Sequence, residues 1–135
     1  MFKLIKILNS GSNVPEPCLV EKSSTLKVNM GCALVLSGGK ASTCSSTSMP
    51  THIALADGPK GTTSVMCYPI TSDMVFETII YGDPTVVFPG EKITLCSDDD
   101  GCTVAVTDEL DEGVATIVDI GDAKKFCDKI SIKFC

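Results

Sequence analysis

Apolar and polar positions alternate along this chain in short runs, and the period is two nearly everywhere. Residues 92–96, Lys-Ile-Thr-Leu-Cys, alternate as a half-buried strand does. Residues 102–106, Cys-Thr-Val-Ala-Val, run back after the loop Asp98-Asp99-Asp100-Gly101, which predicts a hairpin. Near the end, Ile130, Ile132 and Phe134 fall on one face, and Ser131, Lys133 and Cys135 on the other. Residues 31–36, 51–56, 64–70, 74–81 and 114–120 read as further strands, with an edge candidate at Leu26-Lys27-Val28. No segment holds a 3.6-residue period over three turns, so little helix is expected.

The turns carry their own pattern. Pro89-Gly90 suits the centre of a type II turn, because Pro presets φ and Gly accepts a positive φ. Phe126-Cys127-Asp128-Lys129-Ile130-Ser131-Ile132 echoes Pro89-Gly90-Glu91-Lys92-Ile93-Thr94-Leu95. Repeated hairpins predict an all-β fold, a small β-barrel or sandwich of short antiparallel hairpins with an extended N-terminal arm. Residues 1–8 are a β segment, and residues 9–13 a polar linker. Val14-Pro15-Glu16-Pro17 cannot sit in a central strand, since Pro lacks a ladder donor. The division is therefore an N-terminal strand or arm over residues 1–16 and a single barrel-like domain over residues 17–135. Phe2, Leu4, Ile5, Ile7 and Leu8 are the arm's candidate contacts with a partner, by addition to a foreign sheet edge. On that reading, deleting residues 1–16 leaves a folded domain with weakened partner binding. The alternative is that residues 1–8 are a strand of the chain's own barrel.

Composition narrows the function classes. At 135 residues and 44% hydrophobic, the chain suits one domain with one core. Aromatic residues are only 5%, without Trp, so Val, Ile, Leu, Met and Cys must fill that core. All 11 basic residues are Lys, and the net charge is −6. An acidic chain without Arg argues against nucleic-acid binding. No apolar stretch is long enough to span a membrane as a helix. Lys3 and Lys6 interrupt the apolar run at the N-terminus, so it reads as a strand and not a secretion signal.

Catalytic constellations are missing. His52 is the only histidine and sits mid-strand, where a structural role is expected. There is no G-x-S-x-G elbow, and Gly38-Gly39-Lys40 lacks the spacing of a phosphate loop. The acidic stretches at residues 98–100 and 108–112 lack the alternating calcium-loop layout and read as solvated loop tips. The 8 cysteines are the sharpest feature, and none form a C-x-x-C. Cys32 and Cys44 are symmetric about Gly38, and Cys96 and Cys102 about Asp99, so each hairpin is expected to set a pair face to face. Three chemistries follow: buried free thiols, two cross-strand disulfides, or four thiolates converging on zinc. Cys135, on the outer face of the last strand, is the candidate exposed or intermolecular thiol.

Three stretches resemble the small capsid decoration, or head cement, proteins of tailed bacteriophages. They are Gly31-Cys-Ala-Leu-Val-Leu-Ser-Gly-Gly-Lys40, Pro50-Thr-His-Ile-Ala-Leu-Ala-Asp57, and the run from Pro89-Gly-Glu-Lys-Ile-Thr-Leu95 through Ala115-Thr-Ile-Val-Asp-Ile120 to Asp128-Lys-Ile-Ser-Ile132. Together they cover most of residues 28–134. Related chains carry Gly-Asp-Lys in the final turn, whereas Cys127 stands here at the glycine place, where a positive φ would be strained. The resemblance implies a non-enzymatic protein without a cofactor, made in the host cytoplasm and placed on the outer capsid surface of the virion. It implies the major capsid protein as partner, with capsomer junctions held against DNA pressure, often by a trimer and often through a terminal arm. Two other readings stand beside it: a small cysteine-rich secreted or surface β-module held by disulfides, and a metal-binding module using Cys32, Cys44, Cys96 and Cys102.

Overall fold

A computed structural model describes residues 1–8 and 16–134, and among them twelve short strands and one 3-10 turn form the regular structure. The strands are β1 (Lys3–Ile7), β2 (Cys18–Lys22), β3 (Ala33–Ser37), β4 (Lys40–Thr43), β5 (His52–Ala54), β6 (Ser64–Pro69), β7 (Met74–Tyr81), β8 (Lys92–Ile93), β9 (Leu95–Ser97), β10 (Thr103–Thr107), β11 (Ala115–Asp119) and β12 (Lys129–Phe134). The expected linker at residues 9–13 and the thiol of Cys135 lie outside the described residues. The all-β fold predicted from the alternation is the fold observed.

Five strands close on themselves. Around the ring, β2 pairs with β6, β6 with β5, β5 with β3 and β3 with β4, and a parallel β2–β4 pair completes the barrel. The β3–β4 corner is a two-residue turn with φ of 59° at Gly38 and 80° at Gly39, positions that favour glycine. A barrel of so few strands is narrow, so small side chains must fill it. Its interior holds Val20, Leu34, Ala41, Ala54, Val65 and Cys67, with Val28, Cys32 and Cys102 from the loops.

The second layer is the sheet β8-β11-β12-β7-β1. Its long strand β7 carries β12 along one edge; on the other it carries β1 over residues 74–77 and, in parallel, β10 over residues 80–81. Strand β10 also pairs with β3 and β9, which joins the sheet to the barrel. The larger core lies here, with Phe76, Ile80, Ile93, Ile117, Ile132 and Phe134 among its members. Ile130, Ile132 and Phe134 are all buried, as their shared face in the sequence predicted.

The two echoed turns are structural counterparts. Glu91 N donates to Phe88 O at 3.1 Å around Pro89-Gly90, and Asp128 N donates to Lys125 O at 3.2 Å around Phe126-Cys127. Gly90 takes φ 93° and Cys127 takes φ 68°, so a side chain occupies a left-handed position suited to glycine. Cys127→Gly is therefore expected to raise the unfolding free energy by about 1 kcal/mol. The check is urea unfolding: a higher midpoint at unchanged slope is expected, and an unmoved midpoint would show that the Cys127 side chain offsets its own strain.

The N-terminal segment departs from the arm reading. Strand β1 pairs antiparallel with β7, and Phe2 is only 2% exposed in the main core. Leu4 and Ile7 pack against that core, while Ile5 and Leu8 remain exposed. The register breaks between Leu4 and Lys6, so Ile5 is the extra residue of a bulge. The bulge re-phases the strand and turns Ile7 inward in place of Lys6. Residues 3–7 are thus a strand of the domain itself, the alternative of the two sequence readings.

Candidate functional site

The four cysteines expected to converge do not. The β3–β4 register pairs Ser37 with Lys40 and Leu34 with Thr43, so a two-residue turn makes each pair of positions sum to an odd number. Cys32 and Cys44 differ from that by one, and one residue reverses the face of a strand. Cys32 enters the barrel interior and Cys44 the main core. In the second hairpin, Asp98 N donates to Cys102 O at 2.8 Å and Gly101 N to Asp98 O at 3.0 Å, which centres the loop on Asp100. A bulge then sets Cys96 opposite Ala105. Cys102 is buried in the barrel, and Cys96 stays half-buried outside it.

Burial governs these thiols. It pushes Cys44 up to about 12, and it raises Cys32, beside Cys102, further still. Such thiols are packing groups, small enough for a narrow barrel. Seven cysteines fall among the described residues, and all seven are free of disulfides. The acidic loop is likewise self-occupied: Asp98 Oδ1 accepts from Asp100 N and Cys102 N, each at 2.9 Å, and Asp100 pairs with Lys27 at 3.0 Å.

Polar chemistry gathers at the two mouths of the barrel. At one mouth the Lys22 ammonium, on the inward face of β2, is buried in a cage of main-chain carbonyls. Its Nζ donates to Leu26 O at 2.7 Å, Thr62 O at 2.8 Å, Pro59 O at 3.1 Å and Ser23 O at 3.2 Å. At the other mouth, four residues back along β2, Cys18 stands opposite Cys67 on β6, with their sulfurs 3.9 Å apart. Strand β5 adds His52, and the ligand atoms of the three residues lie within 4.8 Å of one another. Thr51 Oγ1 lies 2.9 Å from His52 Nδ1 and accepts from Leu36 N, which fixes the ring.

Burial lowers the affinity of His52 for a proton, so the imidazole is neutral near pH 7. Burial, then the neighbouring Cys18 thiol, pushes Cys67 up to about 12. A thiol raised in this way is the opposite of an activated nucleophile. Sequence reasoning missed this trio because Cys18 and Cys67 are 49 residues apart and belong to neither symmetric hairpin.

Outside the barrel, Leu19, Met66 and Leu55 form a cross-strand row over β2, β6 and the end of β5. Leu19 is 66% exposed, and Met66 and Leu55 are also exposed. The row runs into an apolar cleft of about 370 Å³ lined by Met1, Leu4, Pro17, Met30, Leu55 and Tyr68.

No known protein-family model matches the chain, and no curated protein matches it in sequence. Among solved structures, the fold is similar to the head fiber gp8.5 N base of bacteriophage phi29. The TM-score is 0.54 at 19% identity, over 90% of this chain and 95% of that one.

Proposed function

We propose that this chain is a non-enzymatic structural protein of a tailed-phage head, seated on the outer surface of the capsid shell with the major capsid protein as its partner. The observation that carries this reading is the likeness of fold, across 90% of the chain, to the base of a phage head fiber. The resemblance of residues 31–40, 50–57, 89–95, 115–120 and 128–132 to head decoration proteins is in keeping with it. So is the surface, where an exposed apolar row crosses a chain of net charge −6.

Decoration works by linkage. One interface of ordinary size, roughly 800 Å² per partner, gives modest affinity. A molecule touching two or three shell subunits ties them together, because its second contact is effectively intramolecular. Rupture of the shell under DNA pressure then requires many such contacts to fail together.

Co-sedimentation with expanded, undecorated shells of matching origin tests the reading. Saturable pelleting at a fixed ratio to the capsid protein is the expected result. Leu19→Glu combined with Met66→Glu, both outward-facing, is expected to weaken pelleting at least tenfold while the fold persists. Absence of pelleting by the folded wild-type chain on intact shells would overturn the proposal.

A further inference from the structure

We propose that Cys18, Cys67 and His52 form a binding site for a zinc-class divalent cation at the mouth of the barrel, with one coordination position left open. The geometry fits before any ion enters. Tetrahedral coordination with metal–sulfur bonds of roughly 2.3 Å sets ligand sulfurs about 3.8 Å apart, and the two sulfurs here stand at 3.9 Å. A ring nitrogen of His52 completes a set lying within 4.8 Å.

The ligands come from three neighbouring strands in fixed register. Cys18 opposes Cys67 across β2–β6, and Cys67 opposes Ala54 one inward position along β5 from His52. Backbone ladders therefore hold all three, so little ordering is left for the metal to impose. Thr51 engages Nδ1, the outer-shell contact that metal-ligating histidines carry on the nitrogen away from the ion, and Nε2 is then the ligand. Two thiolates, one imidazole and a dication sum to zero charge, which suits a half-buried mouth. Two sulfurs and one nitrogen select a borderline-soft cation over magnesium or calcium. Cys67 is buried, while Cys18 and His52 are partly exposed, so an ion has a path in from solvent.

Binding must release two protons, one from each thiol, as two metal–sulfur bonds form; no redox step is involved. Because each thiol gives up its proton to bind the ion, affinity rises with pH.

The test uses the full chain, reduced, with all 8 thiols verified by counting. Cobalt(II) is added anaerobically as the probe and zinc as its competitor. The expected result is one equivalent of cobalt with tetrahedral, thiolate-to-metal absorption, displaced by zinc, and two protons released per ion. Cys18→Ser and His52→Ala each weaken binding by more than about 100-fold, the upper end for loss of an outer-shell partner alone. Cys96→Ser, outside the site, leaves it unchanged. Both site variants alter partly exposed positions, and their circular dichroism verifies the fold. Three outcomes overturn the proposal: no thiolate absorption in the reduced chain, absorption that survives both site variants, or a native thiol count showing Cys18 and Cys67 joined as a disulfide.

Discussion

Replacing Lys22 with methionine is expected to lower the unfolding free energy by about 3 kcal/mol, even though the variant is more hydrophobic at a buried position. The ammonium lies within 3.2 Å of four carbonyl oxygens and has no carboxylate partner among them. Two of those oxygens, on Ser23 and Pro59, also accept from the main-chain nitrogens of Leu26 and Thr62. The loss therefore falls chiefly on the carbonyls of Leu26 and Thr62, each costing roughly 1–3 kcal/mol when desolvated and unpaired. Arginine is not expected to rescue, because a planar fork cannot replace a compact ammonium among converging carbonyls. Space is also tight: a Cβ placed on Gly58 would lie 2.9 Å from Lys22 Cε. Urea unfolding of the Lys22→Met and Lys22→Arg variants measures the effect. A loss below about 1 kcal/mol for methionine would mean that water replaces the ammonium, and that the cage is not a stabilising element.

What was legible in the sequence was local. The Pro89-Gly90 turn, its echo at Cys127 and the inward face of Ile130, Ile132 and Phe134 each depend on a few adjacent residues, and each is where the pattern put it. Hairpin register depended on loop length, which the sequence left open by one residue. In the first hairpin that single residue separated Cys32 from Cys44, because strand faces alternate with period two, and in the second a bulge set Cys96 opposite Ala105 and away from Cys102. Closure of the barrel was less visible still. Strand β2 follows two prolines and ends on Lys22, so it reads as a mixed segment, and its parallel pairing with β4 has no turn to announce it. The candidate site inherits that blindness. Cys18, Cys67 and His52 meet only because β2, β6 and β5 are neighbours in the ring. Their chemistry is a property of the topology and of no motif.

Phe2→Ala is expected to cost about 4 kcal/mol, the range for truncating a buried phenylalanine. The ring packs edge-on against Phe134 at 5.0 Å, and Phe134 meets Phe76 at 5.3 Å, so the first strand inserts into an aromatic cluster in a chain poor in aromatics. The backbone adds to the hold: Phe2 N donates to Gly31 O at 2.9 Å, and Leu8 N to Asp73 O at 2.8 Å. Deleting residues 1–8 removes the ring, the β1–β7 ladder and both ties. In a domain of ordinary stability, roughly 5–15 kcal/mol, that deletion consumes a large share of the margin. A truncated chain that fails to pellet with shells would therefore report a weakened fold and not a missing arm. Ile5 and Leu8 separate the two explanations, because both are exposed and sit outside the core. Ile5→Asp with Leu8→Asp is expected to leave the unfolding midpoint nearly unmoved, while Phe2→Ala shifts it strongly. Should Phe2→Ala leave the midpoint in place, β1 would be loosely docked, and residues 1–8 would again be available as an arm for a partner's sheet.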